Sequence, residues 1–167
     1  ILHKVAFRFS DHFGLGLTSL EAENFARSIE NWSPFPDSVE ALASLHETHK
    51  LGILSNVDDD LFVYSAKHLK REFDWVMTAQ QVGAYTPSHQ NFNYMLDTTG
   101  LDKSEILHVA QSLFHDHVPA KALGFDTCWV NRRLGKGGAG ATPPAQAEPD
   151  LEVPDMKTLA KLVREQA

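Results

Sequence analysis

The segment at residues 51–56, of sequence LGILSN, constrains the fold more than any other part of the chain. Its apolar residues end abruptly in two small polar ones, which is typical of a buried parallel strand bounded by a turn. Three acids at residues 58–60 follow, and carboxylates favour a helix start because they meet free backbone N–H groups and the positive end of the helix dipole. We therefore predict a strand, then a helix, with Ser55 and Asn56 at the carboxyl end of the strand. Open α/β sheets bind ligands at that end, although a polar turn without chemistry explains this segment alone equally well.

From Asp37 onward, helical and strand patterns alternate along the chain. Such alternation predicts an α/β fold, with a parallel sheet and helices on both of its faces. We expect Asp37 or Ser38 to cap the first of these helices and Gly124 to end a later one. The predicted strands cover residues 51–55, 73–77, 106–110, 127–131 and 151–153. The predicted helices cover 38–49, 58–70, 88–99 and 156–163, and residues 111–123 are predicted to be a loop followed by a helix.

Residues 1–31 are predicted to form a small helical unit outside the sheet. Thr18 and Glu21 have the spacing of a capping box at a helix start. The side chains of Phe7, Arg8, Phe9 and Phe13 could line a pocket, but we expect them to pack within this unit. The prolines at positions 34 and 36 then force an extended passage, which marks a boundary.

Composition excludes several classes of function. The net charge of −7 provides no basic surface, which argues against nucleic acid and anionic membranes as partners. The apolar runs are far shorter than the ~20 residues of a membrane span, and no secretory signal is visible. Cys128 is the single cysteine, so an internal disulfide is excluded and a reducing, cytoplasmic setting fits best.

A glycine-rich stretch at residues 136–140 has the composition of a phosphate-binding loop but not its spacing, and no helix signal follows it. We interpret it as a mobile surface loop. His115 and His117 suggest a metal pair, but they would face different sides of a starting helix. We therefore predict no metal site, and we expect His115 to line a pocket.

Several ordered segments together resemble the haloacid dehalogenase (HAD) superfamily, and within it the type II 2-haloacid dehalogenase-like group. The resemblance implies a doubly wound parallel sheet (a Rossmann-like core) with a helical cap. Residues 1–32 would be the C-terminal part of that cap, and residues 33–167 would be the core without its first strand. The matching segments are Pro34–Asp37, Leu54–Asn56, Tyr85–Pro87, His115–Asp116, Ala120–Phe125, Thr127–Arg132 and Glu152–Asp155.

The resemblance also implies a mechanism. In the family, an Asp on the first strand attacks the carbon that bears the halogen, and water hydrolyses the resulting ester. That Asp would precede Ile1. We therefore expect the printed chain to be N-terminally incomplete and not to turn over substrate by itself.

The resemblance supplies the candidate site residues. Ser55 would hydrogen-bond the substrate or the nucleophile, Asn56 would add donors, and Asp116 would orient water, although Asp116 also reads as a helix cap. Two positions depart from the family pattern: Thr86 replaces a Lys that holds negative charge, and Gln111 replaces a carboxylate of the magnesium-dependent phosphatases. The expected catalytic residues are Ser55, Asn56 and Asp116, and the expected substrate-binding residues are Thr86, Gln111 and His115.

Three functions remain open at this point. The first is a 2-haloacid dehalogenase without a cofactor, which Gln111 favours because dehalogenases need no metal. The second is a magnesium-dependent phosphatase for a small phosphate ester, and the third is a non-catalytic HAD-like remnant. Lys121 and Arg132 are read as surface side chains rather than as substitutes for the missing Lys. In the enzymatic cases the partner is a small molecule, and a homodimer is compatible with the resemblance.

Overall fold

A computed structural model describes residues 1–136 and 142–166. Its helices alternate with short strands from residue 38 onward, as the sequence predicts. The strands are β1 (Gly52–Ser55), β2 (Trp75–Thr78), β3 (Leu107–Ala110), β4 (Asp126–Val130) and β5 (Leu151–Val153). The α-helices are α1 (Leu2–Phe13), α2 (Ser19–Arg27), α3 (Ser38–His46), α4 (Asp59–Leu69), α5 (Ala79–Val82), α6 (His89–Thr99), α7 (Val118–Leu123) and α8 (Met156–Gln166). Short 3-10 helices cover Ser28–Asn31 and Lys103–Glu105, and a π-helical turn covers Leu113–His117.

The described strands pair in parallel, which confirms the α/β prediction. β1 pairs with β2, and β3, β4 and β5 form a second group in that order. The strand expected at 73–77 begins at Trp75 instead. Helix α5, which the sequence did not predict, follows β2 directly because Thr78 accepts a hydrogen bond from the backbone N–H of Gln81.

Two apolar clusters hold the helices against the two faces of the strands. One joins α3 and α8 to β4 and β5, and the other joins β2 to α6 and α7. This arrangement of three layers is the doubly wound architecture. The first cluster consists of Ala41, Leu45, Cys128, Val130, Val153, Leu159 and Ala160. The second consists of Met77, Phe92, Met95, Ala120 and Phe125.

The sheet is interrupted between β1 and β3. Leu51, just before β1, and Val109 of β3 pack against the first cluster. Leu54 of β1 and Ile106, just before β3, pack against the second. Both strand groups therefore share these two clusters, although β1 and β3 belong to separate hydrogen-bonded groups. Each of these two strands has one edge that no other described strand pairs with.

The N-terminal residues are helical, as predicted, with α1 and α2 packed against each other, and the predicted capping box is present. Thr18 accepts from the backbone N–H of Glu21, and Glu21 accepts from that of Thr18. The expectation that Phe9 and Phe13 pack within this unit is wrong. They are 58% and 57% exposed, and their rings contact each other at a centroid distance of 4.6 Å on the outer side of α1.

Asp37 begins α3, as expected, but its side chain does not cap that helix. Its carboxylate instead accepts two hydrogen bonds from Arg132, at 2.9 and 3.2 Å, and one from the backbone N–H of Met156 at 2.8 Å. Burial works to raise the pKa of Asp37, but these hydrogen bonds and the charge of Arg132 hold it below its usual value. The carboxylate thus ties α3 to the segment after β4 and to the first turn of α8.

The described residues bear on two further sequence predictions, the absence of a membrane span and the surface loop. Within residues 1–136 and 142–166, no helix is long and apolar enough to cross a membrane. The predicted surface loop at 136–140 falls mostly on residues 137–141, which lie outside the described residues.

Replacing Asp37 by Ala should lower the free energy of unfolding by about 2–3 kcal/mol, because Arg132 and the Met156 N–H group would lose their shared acceptor in a largely buried place. Urea denaturation followed by circular dichroism measures this change. Glu40→Ala is the matched control, since Glu40 is exposed in the first turn of the same helix. Equal effects of the two substitutions would contradict the role assigned to Asp37.

Candidate functional site

At the carboxyl end of β1, the side chains of Asn56 and Thr86 hydrogen-bond each other and join two loops, and we call this pair the polar clasp. The side-chain amide of Asn56 donates to the Thr86 hydroxyl at 2.8 Å, and its oxygen accepts from the Thr86 backbone N–H at 2.8 Å. Thr86 is buried, and the Thr86–Pro87 peptide bond is cis. Two of the predicted site residues, from segments thirty positions apart, are therefore brought into direct contact.

Ser55 is half-buried beside this clasp, and its backbone carbonyl accepts from the N–H of Val57 at 2.9 Å. Among the described residues, none is hydrogen-bonded to the Ser55 hydroxyl. The Thr86 oxygen accepts from Asn56, so its own proton is available to a ligand. This end of β1 thus offers two neutral hydroxyl donors.

The carboxyl end of β3 carries a second polar group. Ser112 accepts from the backbone N–H of His115 at 3.0 Å, and its hydroxyl lies 3.0 Å from the ring Nδ1 of His115. Asp116 follows within the π-helical turn, with its N–H donating to the Ser112 carbonyl at 3.1 Å. Ser112, rather than Asp116, therefore caps this turn, which removes the helix-cap explanation for Asp116.

The side chain of Asp116 meets a histidine from the strand itself. His108 Nε2 lies 3.4 Å from Asp116 Oδ1, and the two side chains are 9% and 20% exposed. No hydrogen bond to the other carboxylate oxygen, Oδ2, is recorded among the described residues. The Oδ1 atom of Asp116 is thus in contact with His108, whereas its Oδ2 atom has no hydrogen-bond partner among the described residues.

His117 points in a different direction from His115, as predicted. It is fully buried, and its Nε2 donates to the Ala110 carbonyl at 3.0 Å. Its Nδ1 has no hydrogen-bond partner within the described part of the chain. Burial lowers the pKa of His117 below its ordinary value, although the hydrogen bond to Ala110 works the other way.

Gln111 is exposed, and its backbone carbonyl accepts from the indole N–H of Trp129 at 2.9 Å. The prediction that Lys121 is a surface side chain is confirmed, because its contact with Asp150 is exposed, but the same prediction for Arg132 is wrong, because that side chain is only 18% exposed. Lys121 forms an ion pair with Asp150 at 2.7 Å, and Arg132 is engaged by Asp37. Both cations are therefore committed to structural partners.

The predicted site residues thus fall into two groups, one at the end of β1 and one at the end of β3. Contacts within each group are direct, but no hydrogen bond between the described residues joins one group to the other. The interruption of the sheet separates the two strands that carry them.

A metal site would require several ligating side chains close together. Within residues 1–136 and 142–166, no three His, Cys, Asp or Glu side chains are grouped so as to hold an ion. The second group offers one carboxylate and one amide, whereas Mg²⁺ prefers several oxygen ligands and commonly carboxylates. These residues by themselves do not fit a magnesium site. Burial also raises the pKa of the Cys128 thiol to about 11, which makes it a poor ligand or nucleophile at neutral pH.

Comparison with known proteins identifies the family. A family model described as haloacid dehalogenase-like hydrolase matches residues 17–130. The chain therefore belongs to the haloacid dehalogenase-like hydrolases, and the resemblance seen in the sequence is confirmed.

Individual relatives refine this picture. The chain is 29% identical over 161 residues to an (S)-2-haloacid dehalogenase of Pseudomonas sp. (strain YL), covering 94% of this chain and 67% of that protein. It is 27% identical over 114 residues to the pyrimidine 5′-nucleotidase YjjG of Escherichia coli (strain K12), covering 66% of this chain and 51% of that protein.

The fold also matches a solved structure. The L-2-haloacid dehalogenase of Xanthobacter autotrophicus with chloropropionic acid covalently bound superposes with a TM-score of 0.81 at 23% identity, over 99% of this chain and 75% of that one. This similarity establishes the fold alone. The chain spans 51% to 67% of the length of the first three curated relatives.

Sequence reasoning missed His108 and Ser112 as parts of this region. His108 reads as one residue of an apolar strand, and only its polarity at a buried position signals a partner. Serine commonly caps helices, so the type of residue 112 is a weak signal. The π-helical turn that Ser112 starts has no sequence signature.

The buried state of His117 should make the protein less stable below about pH 6.5, the ordinary pKa of histidine. Because its pKa is lowered on folding, the unfolded chain binds the proton more readily, so the stabilisation is complete above that pH and is lost as the pH falls. Urea midpoints at pH 5 and pH 7 measure the effect.

His117→Gln should flatten this dependence, because the amide can still donate to Ala110 but does not titrate. His12→Gln, at an exposed position on α1, is the control. A pH dependence that is unchanged in His117→Gln would show that His117 is not its source.

Proposed function

We propose that this protein is a hydrolase of the 2-haloacid dehalogenase type, which removes halide from a small 2-halocarboxylate. The single observation that carries the proposal is the similarity of 94% of the chain to an (S)-2-haloacid dehalogenase. The polar groups at the ends of β1 and β3 support it. In this proposal residues 1–32 belong to a helical cap, and residues 33–167 belong to the catalytic core.

The interruption between β1 and β3 suggests where the nucleophile acts. We propose that the strand bearing the family's nucleophilic Asp occupies this interval, where it would pair with both unpaired edges. Its carboxylate would then reach the site between Ser55 and Asp116. Because parallel strands end at the same edge of a sheet, all three groups would meet there.

The reaction then proceeds in two steps. A carboxylate oxygen of the nucleophile bonds to C2 of the substrate, the carbon–halogen bond breaks, and the halide leaves with the electron pair. Water next adds to the carbonyl carbon of the ester, and the 2-hydroxy acid and a proton are released. Asp116 orients this water, Ser55 hydrogen-bonds the reacting carboxylates, and Asn56 holds Thr86 in place. Gln111 and His115 line the substrate side of the β3 end.

A second candidate is phosphate ester hydrolysis, which the similarity to a pyrimidine 5′-nucleotidase favours. Both activities are assayed on the natural gene product. Halide release from 2-chloropropionate and 2-bromopropionate, undiminished by EDTA, is expected. Phosphate release from nucleoside monophosphates that EDTA abolishes would favour the second candidate instead. If the protein folds cooperatively but shows neither activity, the remaining interpretation is a non-catalytic HAD-like remnant.

Ser55→Ala should lower kcat/KM for halide release by roughly 10²-fold, the typical loss when one positioned donor to developing charge is removed. Chloride or bromide release under substrate-limited conditions measures this ratio. Ser104→Ala is the control, because Ser104 is exposed in the 3-10 helix before β3. A loss below twofold in Ser55→Ala would remove Ser55 from the site.

Thr86→Lys should restore a positive charge where the family has one and raise kcat/KM about tenfold, which corresponds to about 1.4 kcal/mol of transition-state stabilisation. The substitution also removes the hydroxyl that accepts from Asn56, so we expect the free energy of unfolding to fall by about 1 kcal/mol. Thr86→Gln, of similar length but neutral, is the control. An equal gain in the Gln variant would show that charge is not what the site lacks.

A further inference from the structure

We propose that His108 is a positioning residue that holds the Asp116 carboxylate for the hydrolytic step, an inference that rests on the function proposed above. His108 lies within β3, one of the two strands that border the interruption. Its Nε2 is 3.4 Å from Asp116 Oδ1. No other hydrogen bond of the His108 ring is recorded among the described residues.

The contact defines which atoms carry protons. A carboxylate oxygen can only accept, so the ring presents a proton on Nε2 to Oδ1. The other carboxylate oxygen, Oδ2, is then left to accept from a water molecule. One carboxylate oxygen is anchored by the protein and the second is directed at the reactant, which is the arrangement that orients a nucleophilic water.

Packing prevents the imidazole from turning away. The ring of Phe92, which is fully buried in α6, meets the His108 ring at a centroid distance of 5.1 Å and an angle of 67°. The ring of His117 lies on another side at 6.5 Å. With both neighbours in place, the Nε2 atom is held toward the turn that carries Asp116.

The backbone brings Asp116 back over the strand. The N–H groups of Asp116 and His117 both donate to the Ser112 carbonyl, at 3.1 and 3.3 Å. The wide π-helical turn thereby returns the Asp116 side chain to the level of His108, eight residues earlier. Ser112 fixes the turn, and His108 fixes the side chain.

The burial of His108 gives its contact with Asp116 an energetic role. A polar ring on a buried strand costs free energy unless it is hydrogen-bonded. The His108 side chain is 9% exposed, and Asp116 is the acceptor that offsets its burial.

The first test detects the contact between His108 and Asp116 by NMR and does not require catalysis. Imidazole ¹⁵N spectra of the protein should show the His108 ring with its neutral-form proton on Nε2. Asp116→Ala should shift both ring nitrogens of His108 more than those of any other histidine. His46 is the internal reference, because its Nδ1 lies 3.7 Å from Asp74 in an exposed pair that Asp116→Ala leaves intact. His108 signals that do not move would overturn the proposal.

The second test reads the consequence for catalysis. His108→Phe should lower kcat for halide release roughly tenfold or more while kcat/KM changes less than twofold, because a misplaced water slows only the hydrolysis of the ester, which follows the departure of the halide, so kcat and KM fall together. In an Asp116→Ala background the same substitution should have no further effect. His46→Gln is the kinetic control.

The outcomes separate the two proposals. An unchanged kcat in a folded His108→Phe variant, or losses that multiply with Asp116→Ala, would overturn the positioning role. If His108→Phe does not fold, His108→Gln is tested in its place. Its kcat should lie between that of the unaltered protein and that of Asp116→Ala. Absence of halide release by the unaltered protein would count against the proposed function alone, because the ring-nitrogen shift tests the His108–Asp116 contact independently.

Discussion

The unpaired edges of β1 and β3 are the feature on which the rest of this architecture depends. Parallel strands satisfy their backbone groups only with neighbours on both sides. Here the helices α3 and α8 on one face, and α6 and α7 on the other, hold the two strand groups beside each other without a ladder between them. The helical layers, rather than a ladder between the described strands, therefore join the two strand groups.

The candidate site follows from the same arrangement, because its two groups stand at the carboxyl ends of the bordering strands. The β1 group is neutral: Asn56 and Thr86 satisfy each other, and Ser55 supplies a hydroxyl. The β3 group is built around Asp116 and histidines. Lys121 and Arg132 are occupied by Asp150 and Asp37. The proposed site is thus neutral at Thr86, where the resemblance implies a Lys, and it carries a hydroxyl at the end of β1 and a carboxylate after β3.

Much of this could be predicted from the sequence, and the failures have physical causes. The strand predicted at 51–55, the helix end at Gly124 and the capping box at Thr18 follow local rules of periodicity and backbone conformation, and the structure shows all three, the strand as Gly52–Ser55. Asp37 was misread because its partner, Arg132, is distant in sequence, so that a tertiary ion pair displaced a local cap. Phe9 and Phe13 were misread because periodicity identifies an apolar helix face but not whether anything covers it. The His108–Asp116 pair depends on a π-helical turn that no sequence pattern announces.

The central claim is that halide is displaced by an enzyme carboxylate and that the ester is hydrolysed at the junction of the two groups. A single turnover of 2-chloropropionate in H₂¹⁸O, followed by proteolysis and mass spectrometry, tests it most directly. We expect ¹⁸O to enter the carboxylate of one Asp other than Asp116, because water attacks the carbonyl carbon of the ester. Halide release with all the label in the hydroxy acid and none in the protein would contradict it, since water would then have displaced the halide itself.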